Sequence, residues 1–137
     1  MKKATFILML IAVFTACRQN VTKVENTAQT TTDTTVVNVY YFHGKQRCKT
    51  CIAVGDVAKQ TVETAFSGNE KVIYTEFNTS EKANEAWVEK YEVTWNALIV
   101  SKGKDAIEIT DQAFATAVEN PQSLENLIKE EISKRLQ

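Results

Sequence analysis

Two runs of β-branched and aromatic residues, "VVNVYYF" (36–42) and "KVIYTEF" (71–77), limit the fold most. Between them, apolar or small side chains recur at 51, 54, 55, 58, 62, 65 and 66, the threes and fours of one helical stripe, and Ser67-Gly68 ends it. A helix between two strands carries the chain back along the sheet, so the strands are expected to run parallel. The first run is apolar at nearly every position before the turn residues His43-Gly44, which suits a strand covered on both faces.

The later chain extends this alternation. "NTSEKANEAWVEKY" offers Asn78 or Ser80 as a cap and sets Ala83, Ala86 and Trp87 on one face of a second helix. "ALIVS" (97–101), the turn "KGKD" and "AIEIT" (106–110) read as an antiparallel hairpin. A short helix is expected around Phe114, and Asn120 caps a last helix with Pro121 in its first turn. Leu124, Leu127, Ile128, Ile132 and Leu136 form the buried stripe of that helix. The order β-α-β-α-β-β-α predicts an α/β domain over residues 36–137: a mixed four-stranded sheet with helices on both faces. No internal repeat is present, and 102 residues suffice for one core.

"RCKTC" (47–51) falls where the first strand gives way to the first helix. With Cys48 as N-cap, the free N–H groups of the first turn and roughly half a positive charge from the helix dipole face its sulfur. That favours a thiolate and lowers the thiol pKa from its free value of about 8.5. No acid occurs between Asp33 and Asp56, whereas Lys45, Arg47 and Lys49 flank the pair as thiolate-supporting cations, unless they are ordinary solubilising residues. Cys51 opens the apolar stripe and is expected to be shielded. An exposed thiolate beside a shielded thiol is what thiol–disulfide exchange needs: Cys48 attacks a disulfide and Cys51 resolves the mixed intermediate. A zinc site normally takes four nitrogen or sulfur ligands, and this chain pairs one CxxC with a single histidine, His43. Capture of a soft metal or metalloid by Cys48 and Cys51 is the alternative, and an inert pair the blandest one. The scattered Gly44, Gly55, Gly68 and Gly103 form no phosphate loop, so no organic cofactor is expected.

The chain begins "MKKATFILMLIAVFTAC", two lysines followed by nine apolar residues from Phe6 to Phe14 and then small residues. That is the order of an export signal, too short for a permanent span, which needs about 20 residues. Phe14-Thr15-Ala16-Cys17 resembles a bacterial lipobox, with Phe14 in place of the usual leucine, and implies a signal peptide over 1–16 and a lipidated Cys17. A leftover exposed thiol would be a liability in an oxidising compartment, which argues the same way. Residues 18–35 hold seven threonines and no aromatic residue, and read as a disordered tether. Without residues 1–16 the formal charge falls from −1 to −3, which gives no basic footprint for nucleic acid. The expected location is the bacterial cell envelope, lipid-anchored and facing the periplasm or exterior.

The strand, the CxxC at a helix head and the element order resemble the thioredoxin-like superfamily in its minimal, glutaredoxin-type form. More narrowly, "YYFHGKQRCKTC" (40–51) resembles small bacterial ArsF-type thioredoxin-like proteins, named for arsenic-resistance gene clusters and nitroreductase systems. The likeness implies a fold and a thiol site; the chemistry of the pair adds the expectation of a thiol–disulfide oxidoreductase that works with an upstream redox protein and a disulfide-bearing client. Two departures qualify it. Thioredoxins place a cis-proline before the third sheet strand, whereas the only proline here is Pro121, and Thr94, Trp95 or Asn96 stands in that place. This weakens the case for a general disulfide reductase and slightly strengthens metal or metalloid binding; the competing class also includes a non-catalytic docking subunit. The first strand also lacks the acid that accepts a proton in thioredoxins, so water or His43 is left to assist. Trp95 suits either an apolar landing surface in a client groove or the core, and the core is the commoner place for such a residue.

Overall fold

Alternation along one central strand organises the chain. The structure, a computed structural model, describes residues 34–137. Cys17, the signal-peptide reading and most of the threonine-rich segment lie outside them. The strands are β1 (Val37–His43), β2 (Val72–Asn78), β3 (Ala97–Lys102) and β4 (Asp105–Glu108). The helices are α1 (Lys49–Ala65), α2 (Glu85–Lys90), α3 (Thr110–Thr116) and α4 (Pro121–Leu136). In the sheet, ordered β2-β1-β3-β4, β1 runs parallel to β2 and antiparallel to β3, and β3 runs antiparallel to β4. The expected α/β architecture, a mixed four-stranded sheet with helices on both faces, is the one the chain adopts, and it is compatible with a minimal thioredoxin-like fold.

All side chains from Val37 to Phe42 are buried. Val37, Val39 and Tyr41 enter the larger core, with Val54 and Ala58 of α1, Ala113 of α3, and Leu124, Ile128 and Ile132 of α4. Tyr40 and Phe42 enter a smaller aromatic core, with Phe77 and Ile99, under Trp87 of α2 and Tyr91 just after it. Burying each such aliphatic side chain stabilises the fold by roughly 1.5–3 kcal/mol. Asn120 Oδ1 accepts the Ser123 N–H at 3.2 Å, so the expected cap of α4 is present, with Pro121 behind it. Among the described residues no helix is long and apolar enough to cross a membrane.

Several local expectations are corrected. Ala83 and Ala86 are exposed. A 3₁₀ turn over Lys82–Asn84 precedes α2, and its tighter winding swings the inward face onto Trp87, Val88 and Tyr91. Ala65 is exposed at the end of α1, and Thr61 is buried on its stripe instead. The last strand stops at Glu108: Ile109 still donates to the Leu98 carbonyl at 2.9 Å, but Thr110 already starts α3, the short helix expected around Phe114. Trp95 is not core. It is 80% exposed, because β3 begins only at Ala97 and leaves Trp95 in the loop before it.

Candidate active site at the head of helix α1

The chain leaves β1 at His43 and crosses Gly44–Arg47 before α1 starts at Lys49. Two bonds from Thr79 hold this exit against the end of β2: its N–H and Oγ1 reach the His43 carbonyl at 2.8 and 3.3 Å. Cys48 is the N-cap of α1, and its Sγ accepts the Cys51 N–H at 3.1 Å. A serine or aspartate in that position would satisfy the same orphan donor. Here a sulfur does, and it forms a disulfide with Cys51, the Cα atoms 5.0 Å apart. Cys48 is exposed and Cys51 is 6% exposed, a shielded member of the apolar stripe.

The surroundings differ from those the local sequence implies. Lys45 and Lys49 are exposed, while Arg47 turns inward. Its Nη1 lies 2.7 Å from Glu76 Oε1, its Nη2 donates to the Cys51 carbonyl at 3.3 Å, and its guanidinium sits 5.6 Å from the centre of the Tyr41 ring. The absence of acids near the pair in sequence therefore does not carry over to space: β2 brings Glu76 beneath the loop between β1 and α1, where it engages the arginine. His43 Nε2 lies 3.1 Å from the same Glu76 oxygen, and His43 Nδ1 lies 2.8 Å from the Gly44 carbonyl. The Tyr74 hydroxyl reaches Glu76 Oε2 at 3.3 Å.

Tyr41 carries the other support. Its hydroxyl donates to the Cys51 carbonyl at 2.7 Å, fixing the first turn of α1 to the middle of the sheet. Burial raises the Tyr41 phenol above its ordinary pKa, and the neighbouring Arg47 pulls it partly back. Burial, reinforced by Glu76, raises Tyr74 as well. Trp95 lines a groove at the loop between β1 and α1, together with Lys45, Gln46, Thr79, Ser80 and Thr94. Among the described residues no three histidine, cysteine or acidic side chains gather into a metal-holding group.

Glu76, Tyr41, Tyr74 and Gly55 escape a reading of the sequence around the cysteines. One signal was present. In β2, Val72, Tyr74 and Glu76 share the face that meets α1, and a carboxylate on an otherwise inward face needs a partner. Chemically, the arrangement joins a solvent-facing sulfur at a helix N-terminus to a covered sulfur, over a hydrogen-bonded platform. A CxxC disulfide so placed is suited to thiol redox chemistry.

No protein-family model matches the sequence, and no curated protein matches it. One solved structure similar to this chain is described as "Structure of a malarial protein"; the two are 19% identical, with a TM-score of 0.40, covering 58% of this chain and 93% of that one. A likeness of that degree carries no argument about fold or function.

Proposed function

We propose that this protein is a thioredoxin-like thiol–disulfide oxidoreductase, tethered to the membrane of a bacterial cell envelope through a lipid on Cys17. Cys48 acts as nucleophile and Cys51 as resolving thiol. The single observation that carries the reading is the difference between the two sulfurs: the exposed Cys48 caps α1 and accepts a helix N–H, while Cys51, bonded to it, is buried. In the reduced state that N–H and the helix terminus favour negative charge on Cys48.

The thiolate attacks one sulfur of a client disulfide and displaces the other as a thiolate. The Cys51 thiol, on losing its proton, then closes the Cys48–Cys51 bond and releases the client's second sulfur. The groove beside Trp95 receives the client backbone near the exposed sulfur, and an upstream dithiol protein regenerates the reduced pair. The resemblance of residues 40–51 to ArsF-type proteins supports a thiol site; arsenic or nitro-compound systems belong to the alternative reading, a metal- or metalloid-binding or non-catalytic docking subunit.

The test is trapping. With Cys51→Ser, mixed disulfides through Cys48 accumulate in cells, and with Cys48→Ser they do not. An absence of adducts in both variants, with stoichiometric binding of trivalent arsenic or copper(I) by the native pair, would assign the site to capture instead.

A further inference from the structure

Helix α1 carries Gly55 on the face turned to the sheet, where alanine would ordinarily make the helix about 1 kcal/mol more stable. A Cβ at Gly55 would lie 2.6 Å from Arg47 Nη2 and 3.0 Å from the Tyr41 ring. The space left by the missing side chain is occupied by a guanidinium, and Glu76 holds that guanidinium at 2.7 Å. The groups facing Glu76 come from several elements: His43 from β1, Arg47 from the redox loop, Tyr74 from β2 itself, and Tyr41 opposite it in the β1–β2 register. Arg47 and Glu76 have side chains 26% and 32% exposed, so solvent screens the pair only in part.

Reduction of the Cys48–Cys51 bond creates an anion on the residue next to Arg47. Building on the exchange chemistry proposed above, we propose that Glu76 is a positioning residue that sets the redox equilibrium of the pair: it seats the Arg47 guanidinium beneath the first turn of α1 and offsets its charge. The pair is thereby less oxidising than the helix terminus and Arg47 alone would make it.

With glutathione as reductant, two molecules supply two electrons and become joined by a new S–S bond as the Cys48–Cys51 bond breaks. Of their two thiol protons, one passes to Cys51 and one to water, which leaves Cys48 as thiolate. Removing the charge of Glu76 favours this product, and removing the charge of Arg47 disfavours it. Mere loosening of the platform would move both variants the same way.

The experiment is a glutathione redox titration together with pH-dependent alkylation of Cys48 in Glu76→Gln, Arg47→Gln and the double variant. In Glu76→Gln the equilibrium constant for reduction rises roughly three- to tenfold, about 15–30 mV, and alkylation persists to lower pH. Arg47→Gln shifts both readouts in the opposite direction, and the double variant returns towards the native values. If Arg47→Gln does not fold, Arg47→Lys replaces it and retains a native alkylation profile, because the charge remains. Shifts of the same sign in the two single variants, or none in either, overturn the proposal. Alkylation of the reduced protein needs no client, so opposite shifts alongside failed trapping would remove the exchange reading and leave this one standing.

Discussion

Cys48 combines two tasks in one side chain: it caps a helix and forms half of a disulfide. The residues around it show how much of the local sequence is arranged for that point. Tyr41 and Arg47 both donate to the Cys51 carbonyl, and both approach α1 through the gap at Gly55. Gly55→Ala is therefore expected to lose the roughly 1 kcal/mol that alanine usually adds inside a helix. The new methyl group displaces the end of Arg47 and presses on the Tyr41 ring, so the urea midpoint stays level or falls. In an Arg47→Ala background part of the gain returns, since the tighter of the two contacts is gone. Urea unfolding of the three variants checks this, and a full gain from Gly55→Ala alone would show that nothing is seated in the gap.

Among the elements, α4 shows which features a sequence displays and which it hides. Its cap, its first-turn proline and its stripe of Leu124, Ile128 and Ile132 follow from local pattern, because capping and periodicity act within a few residues. Its last turn does not. Glu131 and Arg135, 7% and 8% exposed at the side chain, pair at 2.7 Å, and Arg135 also reaches Asp105 on the hairpin at 3.1 Å. Lys134, and then Arg135, hold the Glu131 carboxyl below its ordinary pKa against the effect of burial. A carboxyl lowered in the folded state stabilises fully above its unfolded value, about 4.3, and loses that contribution as pH falls through the lower folded value. Glu131→Gln is thus expected to be less stable than the native protein by about 1–3 kcal/mol at pH 7, with the difference shrinking below about pH 4. Thermal unfolding from pH 3 to pH 7 measures it, and a gap independent of pH would contradict the assignment. The faces of α2 were illegible for a different reason: a single 3₁₀ turn ahead of it changes the angular step, and no residue type there announces that change.

At the scale of the molecule, the order of strands and helices was readable because β1 lies centrally in the sheet and is buried from Val37 to Phe42. The cysteine pair was readable too, since strand, turn and helix head are contiguous in the chain. The charge around the pair was not: Glu76 reaches Arg47 across the sheet from 29 positions away, beyond any inspection of flanking residues. Trp95 was misjudged because burial of a large ring depends on which element covers it, and among the described residues no element covers that ring in the loop before β3. The same distinction between local and distant information governs the N-terminal reading. Phe14-Thr15-Ala16-Cys17 is a short contiguous stretch, so its reading rests on local sequence alone. Acyl chains on Cys17 would each contribute about 0.8 kcal/mol per buried CH₂, and two or more would hold the domain at a membrane. Expressed in a bacterium from the full chain, the native protein is therefore expected in the membrane fraction, with a mature N-terminus at Cys17 whose mass includes diacylglycerol. Cys17→Ser is expected to abolish both the added mass and the membrane association while the Cys48–Cys51 disulfide still forms. A native protein recovered without acyl mass would detach the proposed redox site from the membrane and leave its chemistry to act in solution.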